Sequence, residues 1–139
     1  MKILVAADGS TYTQHAVNYL IKHAAQFGGA EVELLTVHAP IPGRPARHLG
    51  RDVVDGYYRD ECEKALAPTR RALKKAGVEF TDSFKVGNPG EAIAAHAEKG
   101  RFDMVIMGSH GHGALGNLVM GSVATRVLAG CKVPVLVVR

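Results

Sequence analysis

Strand-like and helix-like runs alternate along the whole chain, and this alternation restricts the available folds more than any single residue does. Lys2 to Ala7 is an apolar run rich in β-formers. Thr11 to Phe27 places Ala16, Val17, Leu20, Ile21, Ala24 and Phe27 at helical spacing, and Gly28-Gly29 ends it. Glu31 to His38 alternates and then turns apolar, which reads as a second strand. Glu61 to Ala76 sets Cys62, Ala65, Leu66, Thr69, Ala72 and Leu73 on one helical face, with Gly77 as its stop. Val78 to Val86 reads as a third strand. Asn88-Pro89-Gly90-Glu91 is a helix start, with Asn as cap, Pro at the first position and Glu three residues after the cap. That helix is expected to reach Lys99 and to stop at Gly100. Phe102 to Met107 reads as the fourth strand, a helix follows Gly121-Ser122, and Val133 to Val138 closes the chain as the fifth strand. The order predicts one α/β domain over residues 1–139, a doubly wound and mostly parallel sheet with helices on both faces. Ligands of such sheets sit at the carboxyl ends of the strands, where the strand order reverses. Asp8 and Gly108 both fall just past strand ends, so they can meet there.

Bulk properties narrow the function. A chain of 139 residues buries about two-thirds of its unfolded surface, enough for a core without staples. The two cysteines, Cys62 and Cys131, lie far apart without metal-ligand spacing, and read as buried or half-buried thiols. No signal peptide is visible, and no apolar run approaches the roughly 20 residues that span a bilayer; a cytoplasmic location away from membranes is expected. The formal charge of +4 favours anionic ligands. It is too little clustered with aromatics to argue for nucleic acid. Ala39 to about Val54, with three prolines and Arg44, Arg47 and Arg51, reads as a long loop, either solvated or a basic lid over a phosphate.

The chemistry concentrates in Gly108-Ser109-His110-Gly111, followed by nine residues and then Gly121-Ser122. A strand emptying into a glycine-rich loop and a helix start is a phosphate site: glycines admit close backbone approach, and the helix N-terminus offers unpaired N–H groups. Gly111-His112-Gly113-Ala114-Leu115-Gly116 also spells the dinucleotide fingerprint, but late in the chain and without its acidic partner. A P-loop would need Lys-Ser or Lys-Thr where Ala114-Leu115 stands.

The longer pattern, together with Ile3-Leu4-Val5-Ala6-Ala7-Asp8-Gly9-Ser10, Leu34-Leu35-Thr36-Val37-His38 and Val133-Pro134-Val135-Leu136-Val137-Val138, resembles the universal stress protein family in its ATP-binding branch. The resemblance covers essentially the whole chain. Ala6 and His112-Gly113 depart from its commonest residues. It implies a five-stranded parallel sheet of order 3-2-1-4-5 and a homodimer formed through the last strand, Val133 to Val138, which would cover an exposed edge. It implies ATP or AMP as ligand, with Mg²⁺ or Mn²⁺ accompanying a triphosphate. It also implies the contacts: Ala6, Ala7 and Asp8 at the adenine and ribose side, Val37 pairing with adenine through its backbone, and Met107 beside the ribose. Gly108, His110 and Gly111 would hold phosphates through backbone N–H groups, with Gly121, Ser122 and Val123 closing the far side. The Ser122 hydroxyl is suited both to cap a helix and to donate to a phosphate.

Other residues read as structural. His110 and His112 lack further ligands for a metal. His15 and His23 read as surface residues, His38 as packed near the pocket and His96 as half exposed. Arg70-Arg71-Lys74-Lys75 reads as a solvated helix face, and Tyr57-Tyr58 as core contact. No acid/base pair or nucleophile stands out. The expected function is an adenine-nucleotide-binding regulatory protein of the stress response, with at most slow ATP hydrolysis. The alternative is a nucleotide-free dimeric interaction protein of the same fold. An adenylating ligase would carry a Ser-Gly-Gly-x-Asp-Ser loop, which Ala7-Asp8-Gly9-Ser10 does not match.

Overall fold

The computed structural model describes residues 1–43, 50–113 and 117–139. Arg44, Arg47 and the Ala114-Leu115-Gly116 stretch of the fingerprint lie outside the described residues. Five strands, β1 (Lys2–Ala6), β2 (Glu31–His38), β3 (Thr81–Val86), β4 (Met104–Gly108) and β5 (Val135–Val138), form one parallel sheet of order β3-β2-β1-β4-β5. The helices are α1 (Thr11–Lys22), α2 (Arg51–Lys75), α3 (Pro89–Lys99) and α4 (Ser122–Gly130). Because successive side chains of a strand point to opposite faces, the apolar runs feed two cores. Ile3, Val5, Leu34 and Ile106 pack with Ala16, Val17 and Leu20 of α1 and Leu66 and Leu73 of α2. Leu4, Leu35, Val105 and Met107 pack on the other face with Ile93 and Ala97 of α3 and Ala124 and Val127 of α4. Both faces are covered, as continuous apolar strands require. No helix among the described residues is long and apolar enough to cross a membrane.

Several boundaries differ from expectation, each for a local reason. The stretch read as loop to Val54 ends earlier, because α2 begins at Arg51 after Gly50. Its buried stripe, Val54, Tyr58, Cys62, Leu66, Thr69 and Leu73, continues the three-and-four spacing two turns toward the N-terminus. Tyr58 is buried while Tyr57 is 43% exposed, so only one of the pair is core. The third strand loses Val78 because that residue completes a helix cap. Gly77 takes φ +70°, its N–H bonds to the Lys74 carbonyl, and the Val78 N–H reaches the Leu73 carbonyl. At the end of α3, Gly100 keeps a helical φ, and Arg101 takes the left-handed one at +53°. α1 stops at Lys22 rather than Phe27, and the His23 ring bonds the Tyr19 carbonyl there. β5 is trimmed to Val135–Val138.

The edge strand β3, mostly exposed, is tied on both faces. Arg70 of α2 bonds Asp82 at 2.6 Å and also Glu63, so it is no simple solvated cation. On the other face the Ser83 hydroxyl donates to Glu33 at 3.0 Å, and the same carboxylate oxygen receives His96 of α3 at 2.8 Å.

Candidate functional site

The turn after β1 is fixed by its own polar groups. The Asp8 N–H donates to the Thr13 hydroxyl oxygen at 3.1 Å. Asp8 Oδ1 accepts from the Ser10 N–H at 2.8 Å and from the Thr13 hydroxyl at 2.6 Å. Gly9 sits at φ +79°, with the Ala65 backbone 3.2 Å from where a Cβ would lie, so the turn admits no side chain there. Ser10 then caps α1, its oxygen accepting from the Thr13 N–H.

β4 empties beside this turn. The Ser109 N–H bonds the Val138 carbonyl, and the Ser109 carbonyl accepts from the Gly121 N–H at 2.7 Å, which holds the start of α4 against the end of β4. Gly121 is therefore the N-cap of α4, and Ser122 is its first helical residue with no side-chain cap bond. This corrects the expectation that the Ser122 hydroxyl caps the helix. The first-turn N–H groups of α4 have no intrahelical partner and carry the positive end of the helix dipole. The His110 ring lies against Tyr12, with centroids 4.8 Å apart. Its Nε2–H donates to the Leu118 carbonyl at 2.7 Å, and its Nδ1 accepts from the Ser109 hydroxyl at 2.8 Å. Both nitrogens are used within the loop. Similarly, His112 Nε2 donates to the Asp8 carbonyl at 2.8 Å and bridges the ends of β1 and β4.

These elements enclose a cavity of about 580 Å³, within the usual range for small-molecule sites. Ala6, Ala7, Asp8, Val37, Met107, Gly108, His110, Gly111, Gly121, Ser122 and Val123 all line it. Thr13, Leu35, Ala39, Pro89, Ile93 and Leu118 line it as well and were not singled out by the motif. A wider cleft of about 970 Å³ opens at the opposite end of the strands, around Lys2, Glu31 and Thr81. It carries none of the motif, and it lies at the amino ends of strands, away from the switch point between β1 and β4. His38 packs edge-on against Tyr57 and Tyr58, outside the cavity lining. Among the described residues no group of three or more His, Cys, Asp or Glu side chains is placed to hold a metal ion.

Two motif glycines sit in tight packing, Gly108 more so than Gly121. A Cβ on Gly108 would lie 2.6–2.8 Å from the side chain and backbone of Tyr12, and one on Gly121 3.0 Å from Ser109 and His110 backbone atoms. A valine at Gly108 therefore requires Tyr12 and the start of α1 to shift, so it would test packing as well as ligand binding. Gly111 differs, because its Cβ would meet only the end of the Asp8 side chain, Oδ2, at 2.7 Å.

A doubly wound parallel sheet with a ligand-sized cavity at its switch point, walled by a glycine loop and a helix N-terminus, defines the class: an α/β protein with a cleft at the carboxyl ends of its strands. The model of the universal stress protein family matches residues 1–139, and the chain belongs to that family. It is 33% identical over 138 residues to the universal stress protein in the QAH/OAS sulfhydrylase 3′ region of Thermus aquaticus, covering 99% of this chain and 97% of the relative. It is 30% identical over 139 residues to universal stress protein MJ0531 of Methanocaldococcus jannaschii, covering 99% and 81%. The structure of MJ0577, a further universal stress protein of that archaeon, matches with a TM-score of 0.80 at 29% identity, over 99% of this chain and 94% of that one. A universal stress protein in complex with cAMP shares the fold at TM-score 0.73 and 23% identity, over 100% and 97% of the two chains. The Archaeoglobus fulgidus protein in complex with dAMP does so at 0.70 and 22%, over 100% and 98%.

Proposed function

We propose that this chain is an adenine-nucleotide-binding regulatory protein of the stress response, acting as a homodimer through β5 and turning nucleotide over slowly if at all. The observation that carries the reading is the open cavity between the ends of β1 and β4. Its rim of loop amides and α4 N–H groups suits phosphate, and its apolar wall of Val37, Leu35 and Ile93 suits a base. Two proteins of the same fold hold adenine mononucleotides, which supports the choice of base. In this reading Ala6, Ala7 and Asp8 meet the adenine and ribose, Val37 offers its backbone to adenine, and Met107 flanks the ribose. Gly108, His110, Gly111, Gly121, Ser122 and Val123 hold the phosphate. Binding alters affinity for a partner protein.

The second reading, an interaction protein without nucleotide, draws on one observation: packing against Tyr12 alone requires a glycine at 108, so its presence does not by itself demand a ligand. Mass spectrometry on freshly purified, denatured protein separates the two. Released adenine nucleotide supports the first reading. An empty protein that gives no calorimetric heat with AMP, cAMP or ATP supports the second. Gly111→Ala displaces the Asp8 carboxylate without touching backbone, and is expected to weaken nucleotide binding about tenfold while the fold stays intact.

A further inference from the structure

The cavity wall that follows Val37 is held by side chains that do not themselves line the cavity. β2 ends at His38, whose carbonyl accepts from the Gly87 N–H at 2.9 Å. The next residue, Ala39, lines the cavity. Its carbonyl accepts from His38 Nδ1–H at 2.6 Å, an assignment that follows because a carbonyl only accepts. Two residues on, the Ile41 N–H donates to the hydroxyl oxygen of Tyr58, in α2, at 2.7 Å. Tyr58 is buried, and the rings of His38, Tyr57 and Tyr58 meet edge-on with centroids 5.5–5.9 Å apart. The backbone leaving β2 is thus gripped at two groups by an aromatic cluster seated on α2.

This grip lies beside the backbone that a base would meet. The Leu35 carbonyl accepts from the Ala7 N–H and the His38 carbonyl from the Gly87 N–H, so alternate residues of β2 turn their backbone groups to the β1 side and to the β3 side. Val37 belongs with Leu35. Because β1 ends at Ala6, the Val37 N–H and C=O face the cavity past that end. A donor and an acceptor together suit adenine, which carries the N6 donor beside ring acceptors. Hypoxanthine carries an acceptor, O6, in place of N6, and would set it against the Val37 carbonyl. Such a mismatch is rejected only where the base cannot slide away from it, and Ala39 is the wall that stops the slide.

We infer that Tyr58 and His38 are positioning residues for base selection: by holding Ala39 to Ile41 they keep that wall rigid, and the site prefers a 6-amino to a 6-oxo purine. The inference rests on the adenylate reading above. Tyr58→Phe keeps the ring and its packing and removes only the hydroxyl. His38→Phe keeps an aromatic edge against Tyr58 and removes the Nδ1–H donor.

Competition of AMP and of inosine monophosphate against a fluorescent adenylate tests the inference on wild type and both variants, with thermal melts as a check on folding. Wild type should prefer AMP by about tenfold or more. Each variant should lose about three- to tenfold in AMP affinity while inosine monophosphate changes little, so the preference narrows by the same factor. If Tyr58→Phe does not fold, His38→Phe carries the test. A wild-type protein without preference overturns the inference. So do folded variants that keep the full preference, or that weaken both nucleotides equally, which would make the cluster a support of the fold and not of base choice. Failure of wild type to bind AMP at all overturns the adenylate reading, and the role of the cluster with it.

Discussion

At the residue scale, backbone conformation and burial each single out a position. Arg101 adopts φ +53° at the end of α3, where its N–H bonds the Glu98 carbonyl and the next N–H, of Phe102, bonds the Ala97 carbonyl. An L-residue there pays a steric cost that glycine escapes. The glycine sits one position too early for that purpose. Gly100 is required instead because a Cβ would lie 2.4 Å from the Phe102 ring. Arg101→Gly should raise stability by about 0.5–1 kcal/mol after glycine's own entropy cost, read as a higher urea midpoint with an unchanged slope. Gly100→Ala should do the opposite. The thiols divide as well. Cys62 is 1% exposed in the α2 stripe, and burial first, then Glu61 and Glu63, push its thiol above the ordinary value. Cys131, after α4, is half-buried. A thiol reagent should label Cys131 in the native protein and reach Cys62 only on unfolding; rapid native labelling of Cys62 would contradict the depth assigned to it.

At the scale of elements, what was legible in the chain is what periodicity and caps encode. The nine elements and their alternation follow from apolar spacing, and α3 begins at its Asn88 cap with Pro89 first, as read. The start of α2 was hidden because Gly50 supplies no side-chain cap and Gly56 interrupts the helical composition ahead of Glu61. The Val54-Tyr58-Cys62 spacing was the available signal. Strand ends shifted where a helix cap claimed the first apolar residue, as at Val78. The eleven residues picked from the motif and the resemblance line one cavity because they sit at strand and helix ends, where chain order alone fixes position. Thr13, Pro89 and Ile93 reach the same cavity only through the way helices dock, which no local pattern records. The ion pair within α2 that holds Arg70 where it meets Asp82 of β3 is itself testable. A hydrogen bond from Arg70 holds the Glu63 carboxyl below its ordinary value, as does the Arg70 charge. A carboxyl lowered in the folded state stabilises fully above its unfolded value, and the contribution is lost as pH falls through the folded one. Between about pH 6 and pH 3 the melting temperature of Glu63→Gln should therefore fall less than that of wild type. Parallel curves for the two proteins would remove Glu63 from the tie.

At the scale of the whole molecule, the two sheet edges are treated differently. β3 is held by polar ties to helices on both faces, whereas β5 is four residues, Val135–Val138, all apolar and partly exposed, and among the described residues it pairs with β4 alone. The Pro134 and Val138 carbonyls accept from the Val105 and Ser109 N–H groups, so the even-numbered residues of this segment face β4. In a parallel ladder the N–H groups of Val135 and Val137 then point to the open edge. An open apolar edge invites a second strand, and a two-fold axis would let the same segment of another copy supply it. On the proposed homodimer, Val137→Pro deletes one outward N–H and leaves the bonds to β4 in place. Sedimentation equilibrium should find wild type dimeric and Val137→Pro shifted to monomer. Because the Ser109 N–H still closes on the Val138 carbonyl, the loop that frames the cavity keeps its anchor, and the monomer should retain measurable nucleotide affinity. A variant that stays dimeric would move the interface off β5. A variant that becomes monomeric and loses nucleotide altogether would mean that the second copy helps to shape the cavity.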